Sequence, residues 1–226
     1  MNLRLGILAA ICLAGPAVAA DAAHPVVVEL FQSQGCSSCP PANAQVLAIA
    51  GRPDVLALSW EVTYWDYLGW TDTFGDRAFT QRQYDYAGSG HTSGVFTPQV
   101  VVNGRVDGVG DRADGLATLV QQGDRGNAGP DIKITGSRVT VGDGTGRADV
   151  VLVRYDPRIV QVPVHRGENA GVTLPHRNVV RQVAVLGEWT GQASSFALPR
   201  APADGLKVAV LVQSAHTGPI LAAATE

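Results

Sequence analysis

Cysteine is scarce in this chain, with three residues, at positions 12, 36 and 39. So few exclude the multi-bridge framework of a small disulfide scaffold, and no second pair exists to complete a four-ligand structural zinc site. Lysine is scarcer: only Lys133 and Lys207 stand among the 17 Lys and Arg residues, which we read as coding bias and not chemistry. A formal net charge of −3 leaves no positive excess for a nucleic-acid backbone. One apolar run is long, Leu5–Val18, and nothing after it is long enough to cross a bilayer, so no stable membrane insertion is expected. Repeats and low-complexity tracts are absent. The 226 residues suffice for a sizeable core, as one large domain or two small ones.

The start of the chain reads as a secretory signal over residues 1–20. Arg4 supplies a weak positive end, Leu5–Val18 the apolar stretch, and Ala17-Val18-Ala19 the small residues for cleavage near Ala19 or Ala20. A lipid anchor on Cys12 fits poorly, because Ile11 is large where a small residue is wanted. Cleavage removes Cys12 and leaves Cys36 and Cys39 in an oxidising compartment, periplasmic or secreted.

Those two cysteines lie in Gly35-Cys36-Ser37-Ser38-Cys39-Pro40-Pro41, directly after the apolar run Val26–Phe31. A strand feeding Cys-x-x-Cys at the start of a helix is the layout of a thiol–disulfide redox site. A bridge across so short a loop does little for stability, which favours exchange over an inert clasp. Cys36, the first cysteine of such a pair and placed by the helix N-terminus, is the expected attacking thiolate, and Cys39 the resolving one. Pro40 and Pro41 disfavour helical geometry just before them, so the helix is expected to begin after Cys39. Cys36 then depends more on Ser37 and Ser38 for hydrogen bonds.

Up to Gln122 strands and helices alternate. Strands are expected at 26–31, 55–62 and 99–102, helices at 41–50, 75–87 and 111–122. Asn103-Gly104 signals a tight turn to a strand at 106–109. Residues 123–130, rich in Gly, Asp and Pro, read as a linker. The remainder, 131–226, is β-rich with closely spaced turn residues, which suggests a small antiparallel sandwich or sheet. Thr97-Pro98, leading straight into an apolar strand, is a candidate cis-proline loop facing the cysteines.

This order of elements resembles the thioredoxin fold. More closely, Glu29-Leu30-Phe31, Ser33-Gln34-Gly35-Cys36-Ser37-Ser38-Cys39-Pro40-Pro41, Tyr64-Trp65-Asp66-Tyr67-Leu68-Gly69-Trp70, Thr97-Pro98-Gln99, Arg166-Gly167-Glu168-Asn169 and His176-Arg177-Asn178-Val179-Val180-Arg181 are similar to secreted bacterial proteins of the domain-of-unknown-function family 1223. The resemblance implies an α/β thioredoxin-like domain over 24–122, a central mixed sheet flanked by helices, with an aromatic insertion at 64–90 and a C-terminal β-rich extension. It supplies no reaction. The Trp that precedes the first cysteine in ordinary thioredoxins is replaced by Gly35. Glu29 lies near where thioredoxins bury an acid behind the pair, but one residue out of step. Such a slip flips the side chain to the other face unless a bulge intervenes.

Nine of the fourteen aromatic residues fall between Trp60 and Tyr86. They build either a local core or an aromatic groove beside Cys36, with Trp65 and Asp66 as candidate substrate contacts alongside Thr97 and Pro98. His91 is a candidate proton carrier or metal ligand. Arg166, Glu168, Asn169, His176 and Arg177 form a polar set, read as a hydrogen-bonded sheet edge or a binding site. The expected function is a thiol–disulfide oxidoreductase that needs no cofactor. Its substrate is a protein or small-molecule thiol or disulfide, and its electron partner is not named by the sequence. The alternatives are a metal- or peptide-binding module using the cysteine pair, and a non-catalytic accessory protein.

Overall fold

The computed structural model describes residues 19–226, so the export signal expected over residues 1–20 lies almost wholly outside the described residues. Strand β1 (Val26–Gln32) runs into the cysteine loop and helix α1 (Cys39–Ile49). Then come β2 (Val55–Glu61), a short 3₁₀ turn (Asp66–Leu68), α2 (Arg77–Gly88), β3 (Gln99–Val102), β4 (Val106–Gly108) and α3 (Ala113–Gly123). The strands and α-helices among these lie within two residues of their expected ends, the usual uncertainty of element boundaries. Asn103 and Gly104, at φ 49° and 61°, make the tight turn that left-handed backbone permits in Asn-Gly. Asp76 caps α2 by accepting the Ala78 N–H.

One boundary is a correction. Helix α1 starts at Cys39, with Pro40 and Pro41 inside its first turn. First-turn N–H groups have no helical carbonyl to reach, so prolines there sacrifice no helical hydrogen bond. The Cys39 N–H instead donates to Cys36 O at 3.2 Å, which closes the turn.

After an irregular stretch, 124–131, the chain is all strand: β5 (Ile132–Thr135), β6 (Arg138–Val141), β7 (Ala148–Asp156), β8 (Val160–Pro163), β9 (Thr173–His176), β10 (Val179–Trp189), β11 (Ser194–Ala197), β12 (Lys207–Ser214) and β13 (Ile220–Thr225). The fold is a mixed α/β structure built on a large mixed sheet with few helices. That sheet has eight strands in the order β13-β12-β7-β10-β2-β1-β3-β4. The β-rich half thus continues the sheet of the first half. The seam is narrow: β10 meets β2 in parallel at Val179 and Ser59 alone. Asn178, just before β10, reinforces it: its carbonyl accepts the Ser59 N–H at 3.0 Å and its Nδ2 donates to Ala57 O at 2.9 Å.

Strand side chains alternate between faces, and the core divides accordingly. On one face α1 and α3 cover Val26, Val28, Leu30, Ala57, Val100 and Val102. Farther along that face the three-stranded sheet β11-β6-β5 packs Val139 and Val141 over Val150, Leu152, Val210 and Val212. The other face carries α2, whose Phe79 and Tyr86 join Phe31, Leu58, Trp60, Val153 and Leu211 in one cluster spanning both halves. Of the aromatics of 60–86, Trp60, Phe79 and Tyr86 belong to this shared core, with Tyr64 and Trp65 packed against it, while Tyr67 and Tyr84 are exposed. A separate hairpin, β8–β9, stands off the main sheet.

Candidate functional site

Cys36 and Cys39 are joined as a disulfide, with Cα atoms 5.5 Å apart. The loop between β1 and α1 presents them: the Cys36 N–H donates to Ser33 O and the Gly35 N–H to Ser33 Oγ, both at 3.1 Å. Gly35 allows a close approach, since a Cβ there would stand 3.2 Å from Trp65 Cβ. Both cysteines are covered, Cys36 at 0% and Cys39 at 1% exposure.

Cys36 Sγ has two hydroxyl neighbours, Ser38 Oγ at 3.3 Å and Thr97 Oγ1 at 3.4 Å. Trp65 Nε1 lies 2.7 Å from the Thr97 oxygen. An indole nitrogen only donates, so the Thr97 oxygen accepts from it and keeps its own proton for the sulfur. The chain Trp65→Thr97→Cys36 therefore has a forced direction. Ser38 has one proton to offer, to Cys36 Sγ or to Thr97 O at 3.3 Å. The Thr97–Pro98 bond is cis, as expected from its place before β3. Of the residues expected as substrate contacts, Thr97 touches Cys36 itself and Trp65 reaches it through Thr97.

The cover comes from the β8–β9 hairpin. Glu168 Oε2 accepts both the Ser37 N–H at 2.9 Å and the Ser37 hydroxyl at 2.8 Å. Those two bonds hold the Glu168 carboxyl below the usual carboxylate range. Asn169 Nδ2 donates to Gln34 O at 2.9 Å and Cys36 O at 2.8 Å. Gly167, at φ 77°, packs so close that a Cβ would lie 3.4 Å from Gly35 Cα. Trp70 completes the wall: its ring meets His165 edge-on at 5.6 Å and its Nε1 donates to Gln34 Oε1 at 2.9 Å.

Beneath the pair lies a buried polar layer. Gln32 Nε2 has three acceptors: Ser59 Oγ at 2.7 Å, Glu61 Oε1 at 3.0 Å and Asn43 Oδ1 at 3.1 Å. Asn43 sits one helical turn after Cys39 on α1 and donates to Pro175 O at 2.6 Å. His176 Nδ1 stands 3.1 Å from Glu61 Oε1, close enough for charge attraction but too oblique for a hydrogen bond. Both His176 ring nitrogens and Glu61 Oε2 lack hydrogen-bond partners. Asp72 adds a second acid, accepting the Gln34 N–H at 2.7 Å and the Phe74 N–H at 3.0 Å. Burial first, and the Glu61 charge second, push the Asp72 carboxyl up to about 8. Burial is the largest single influence on His176 and lowers its pKa, but Glu61 and Asp72 together outweigh it and the net shift is upward.

Glu29 is not part of this layer. It lies across the sheet, ion-paired with Arg82 Nε at 2.7 Å, hydrogen-bonded by Tyr86, and joined through Arg82 to Gln213 Oε1 at 3.0 Å. Glu29 is therefore not a buried acid behind the cysteine pair. No bulge shifts the β1–β2 register, in which Gln32 faces Glu61, so the one-residue slip put Glu29 on the α2 face. Sequence reading missed Glu61, Asp72 and Gln32. A trace was present: Ser59 and Glu61 interrupt an otherwise apolar run with the same parity.

The other expected residues are dispersed. Asp66 Oδ1 accepts the Asp72 N–H at 3.1 Å and fastens its own loop. His91 is exposed on the loop before Thr97. Arg177 lies beyond the β9 end, with a nitrogen 3.7 Å from where a Gly51 Cβ would be. Among the described residues no group of three His, Cys, Asp or Glu is arranged to hold a metal ion. A concavity of about 600 Å³ lies between α2 and strands β7, β10 and β12 and is lined by neither cysteine.

An X-ray crystal structure of a protein from Agrobacterium tumefaciens is similar, with 34% identity, 91% of this chain and 94% of that one covered, and a TM-score of 0.71. HBP35 of Porphyromonas gingivalis matches at 12% identity, with 92% and 76% covered and a TM-score of 0.60, a likeness of fold alone. No curated protein matches the sequence. The profile of the protein family of unknown function DUF1223 covers residues 27–213, which takes in the cysteine loop, the Trp65–Thr97 contact, the Glu168–Asn169 cover and the His176 layer, and the chain belongs to that family.

Proposed function

We propose that this protein is an exported, thioredoxin-like thiol–disulfide oxidoreductase with Cys36 as nucleophile. One observation carries the reading: the Cys36 sulfur faces two hydroxyl donors, Thr97 and Ser38, beside the cis Thr97–Pro98 bond. A thiolate needs such donors. Pro40 and Pro41 have no N–H to give, so the start of α1 offers fewer than an ordinary helix. The Thr97 hydroxyl, polarised by Trp65, takes their place.

In the reaction, the Cys36 thiolate attacks one sulfur of a substrate disulfide. A Cys36–substrate disulfide forms and the other substrate sulfur leaves as thiolate. The Cys39 thiolate then attacks Cys36 Sγ, the Cys36–Cys39 bond forms, and the second substrate sulfur leaves. Two electrons pass from the pair to the substrate, and the direction reverses with the partner's potential. In the buried layer Glu61 supplies a place for the Cys39 proton, reached past Asn43, which lies one helical turn from Cys39, and Gln32.

The test is capture with Cys39→Ala. Mixed disulfides on Cys36 in the cell envelope, absent from Cys36→Ala, are expected, together with reduction of insulin disulfides by wild type and its loss in Cys36→Ala. No trapped partner, and no turnover under reducing or oxidising conditions, removes the reading.

A further inference from the structure

We propose that the β8–β9 hairpin is a lid over the cysteine pair and that its Glu168 carboxylate opposes a thiolate on Cys36, so that the seated lid favours the disulfide and reduction loosens it. This rests on the oxidoreductase reading and names the regulation of that same site.

The geometry is that of a movable cover. The hairpin is its own two-stranded sheet, so its tip can lift without breaking a bond of the eight-stranded ladder. Its tip is internally tied, Val164 N–H to Val172 O at 2.9 Å and Gly171 N–H to Val164 O at 2.8 Å, and so moves as a unit. Its base is anchored by buried Leu174 and His176 and by the Asn43–Pro175 bond. The side-chain bonds from the tip to the cysteine loop come from two residues, Glu168 and Asn169. While they hold, Cys36 has no exposed surface, and no substrate sulfur can approach it.

The chemistry sets the sign. Glu168 takes up the Ser37 N–H, the first amide after Cys36, and puts a negative charge one residue from the sulfur. Neither His165 nor Arg166, its neighbours on the tip, is ion-paired with it among the described residues. A neutral disulfide tolerates that charge. A thiolate is repelled by it and loses a donor. When an external dithiol reduces the pair, the Cys36–Cys39 bond breaks, two electrons enter and the reductant closes its own disulfide. Cys39 keeps a proton, and Cys36 carries the charge that faces Glu168. Coupling is reciprocal: whatever the lid costs the thiolate, the thiolate costs the lid.

The experiment compares wild type, Glu168→Gln and Glu168→Ala as full-length mature protein, with dithiothreitol as reductant. Glu168 is exposed, and circular dichroism verifies that the variants fold. Gln retains an acceptor for Ser37 and removes the charge; Ala removes both. Disulfide reduction is expected to speed up about threefold in Glu168→Gln and about tenfold in Glu168→Ala. The reduced Cys36 thiol, followed by thiolate absorbance, is expected to titrate lower by up to about one unit. Amides of residues 164–172 in wild type should exchange hydrogen faster in the reduced protein than in the oxidised one. Equal reduction rates in the three proteins, or equal exchange in both redox states, overturn the lid. Dithiothreitol needs no physiological partner, so this result stands apart from the trapping experiment: a lid without a trapped partner removes only the oxidoreductase reading.

Discussion

The two faces of the central sheet each bury a carboxylate, and they treat it differently. On the α2 face Glu29 meets Arg82, a cation that stays charged at any ordinary pH, and Tyr86 and Gln213 complete the set. The cluster ties β1, α2 and β12 together, and nothing in it is free to change. On the α1 face Glu61 meets His176 and feels the nearby Asp72, both shifted upward from their ordinary pKa, and three polar atoms there have no partner. A buried acid held by arginine is a clasp. A buried acid beside titratable groups sits in surroundings whose charge changes with pH.

The sharpest way to break this comparison is to remove the clasp. Arg82→Ala leaves Glu29 buried and unpaired and is expected to destabilise the protein by about 3–5 kcal/mol in urea unfolding. The Cys36–Cys39 reduction rate of the folded fraction should not change. A small stability loss would mean that Glu29 is not a structural ion pair.

The second prediction concerns pH. Folded Asp72 holds its proton up to about pH 8, whereas an unfolded aspartate releases it near 4. Between those values the native state binds more protons than the unfolded one, so stability falls as pH rises through the window. His176, raised above its ordinary value, acts with the same sign at the upper end. Stability at pH 5 is expected to exceed that at pH 8 by roughly 1–3 kcal/mol, and Asp72→Asn should flatten the slope. A slope that survives in Asp72→Asn moves the titration elsewhere.

The smallest effects belong to the donors. Thr97→Val keeps the shape and removes the hydroxyl facing Cys36. The reduced Cys36 thiol should titrate about one unit higher, and substrate attack should slow roughly tenfold at neutral pH. Trp65→Phe leaves Thr97 unpolarised and should give a change in the same direction, about threefold. If Trp65→Phe matters and Thr97→Val does not, the indole acts by covering the sulfur and not through the hydroxyl.

Local signals carried the first half of the fold. Apolar runs, the Asn103-Gly104 turn and the Thr97-Pro98 strand entry are short-range patterns, and each lies where expected. The cysteine pair was legible for the same reason. The face of Glu29 was legible as a question: the one-residue offset predicted either a bulge or a flip, and the straight β1–β2 register made it a flip. The extension of the sheet by β7, β10, β12 and β13 was not legible. Its joint is the single Val179–Ser59 bridge, and no local pattern says which edge a strand will choose. Glu168 and Asn169 were visible as a polar set, but their target lies more than 130 residues away.

What the amino-acid order determined alone is the chemistry available: two sulfurs a helical turn apart, prolines that strip the helix start of donors, and a threonine set before a strand. These follow from covalent geometry and neighbouring side chains. Only the tertiary structure decided which groups surround the sulfurs, because strand register and the path of the β8–β9 hairpin bring Thr97, Trp65, Glu168, Asn169 and the Glu61–His176 layer to them from four separate parts of the chain. Burial then sets how each carboxyl holds its proton, and burial is a property of the packed whole.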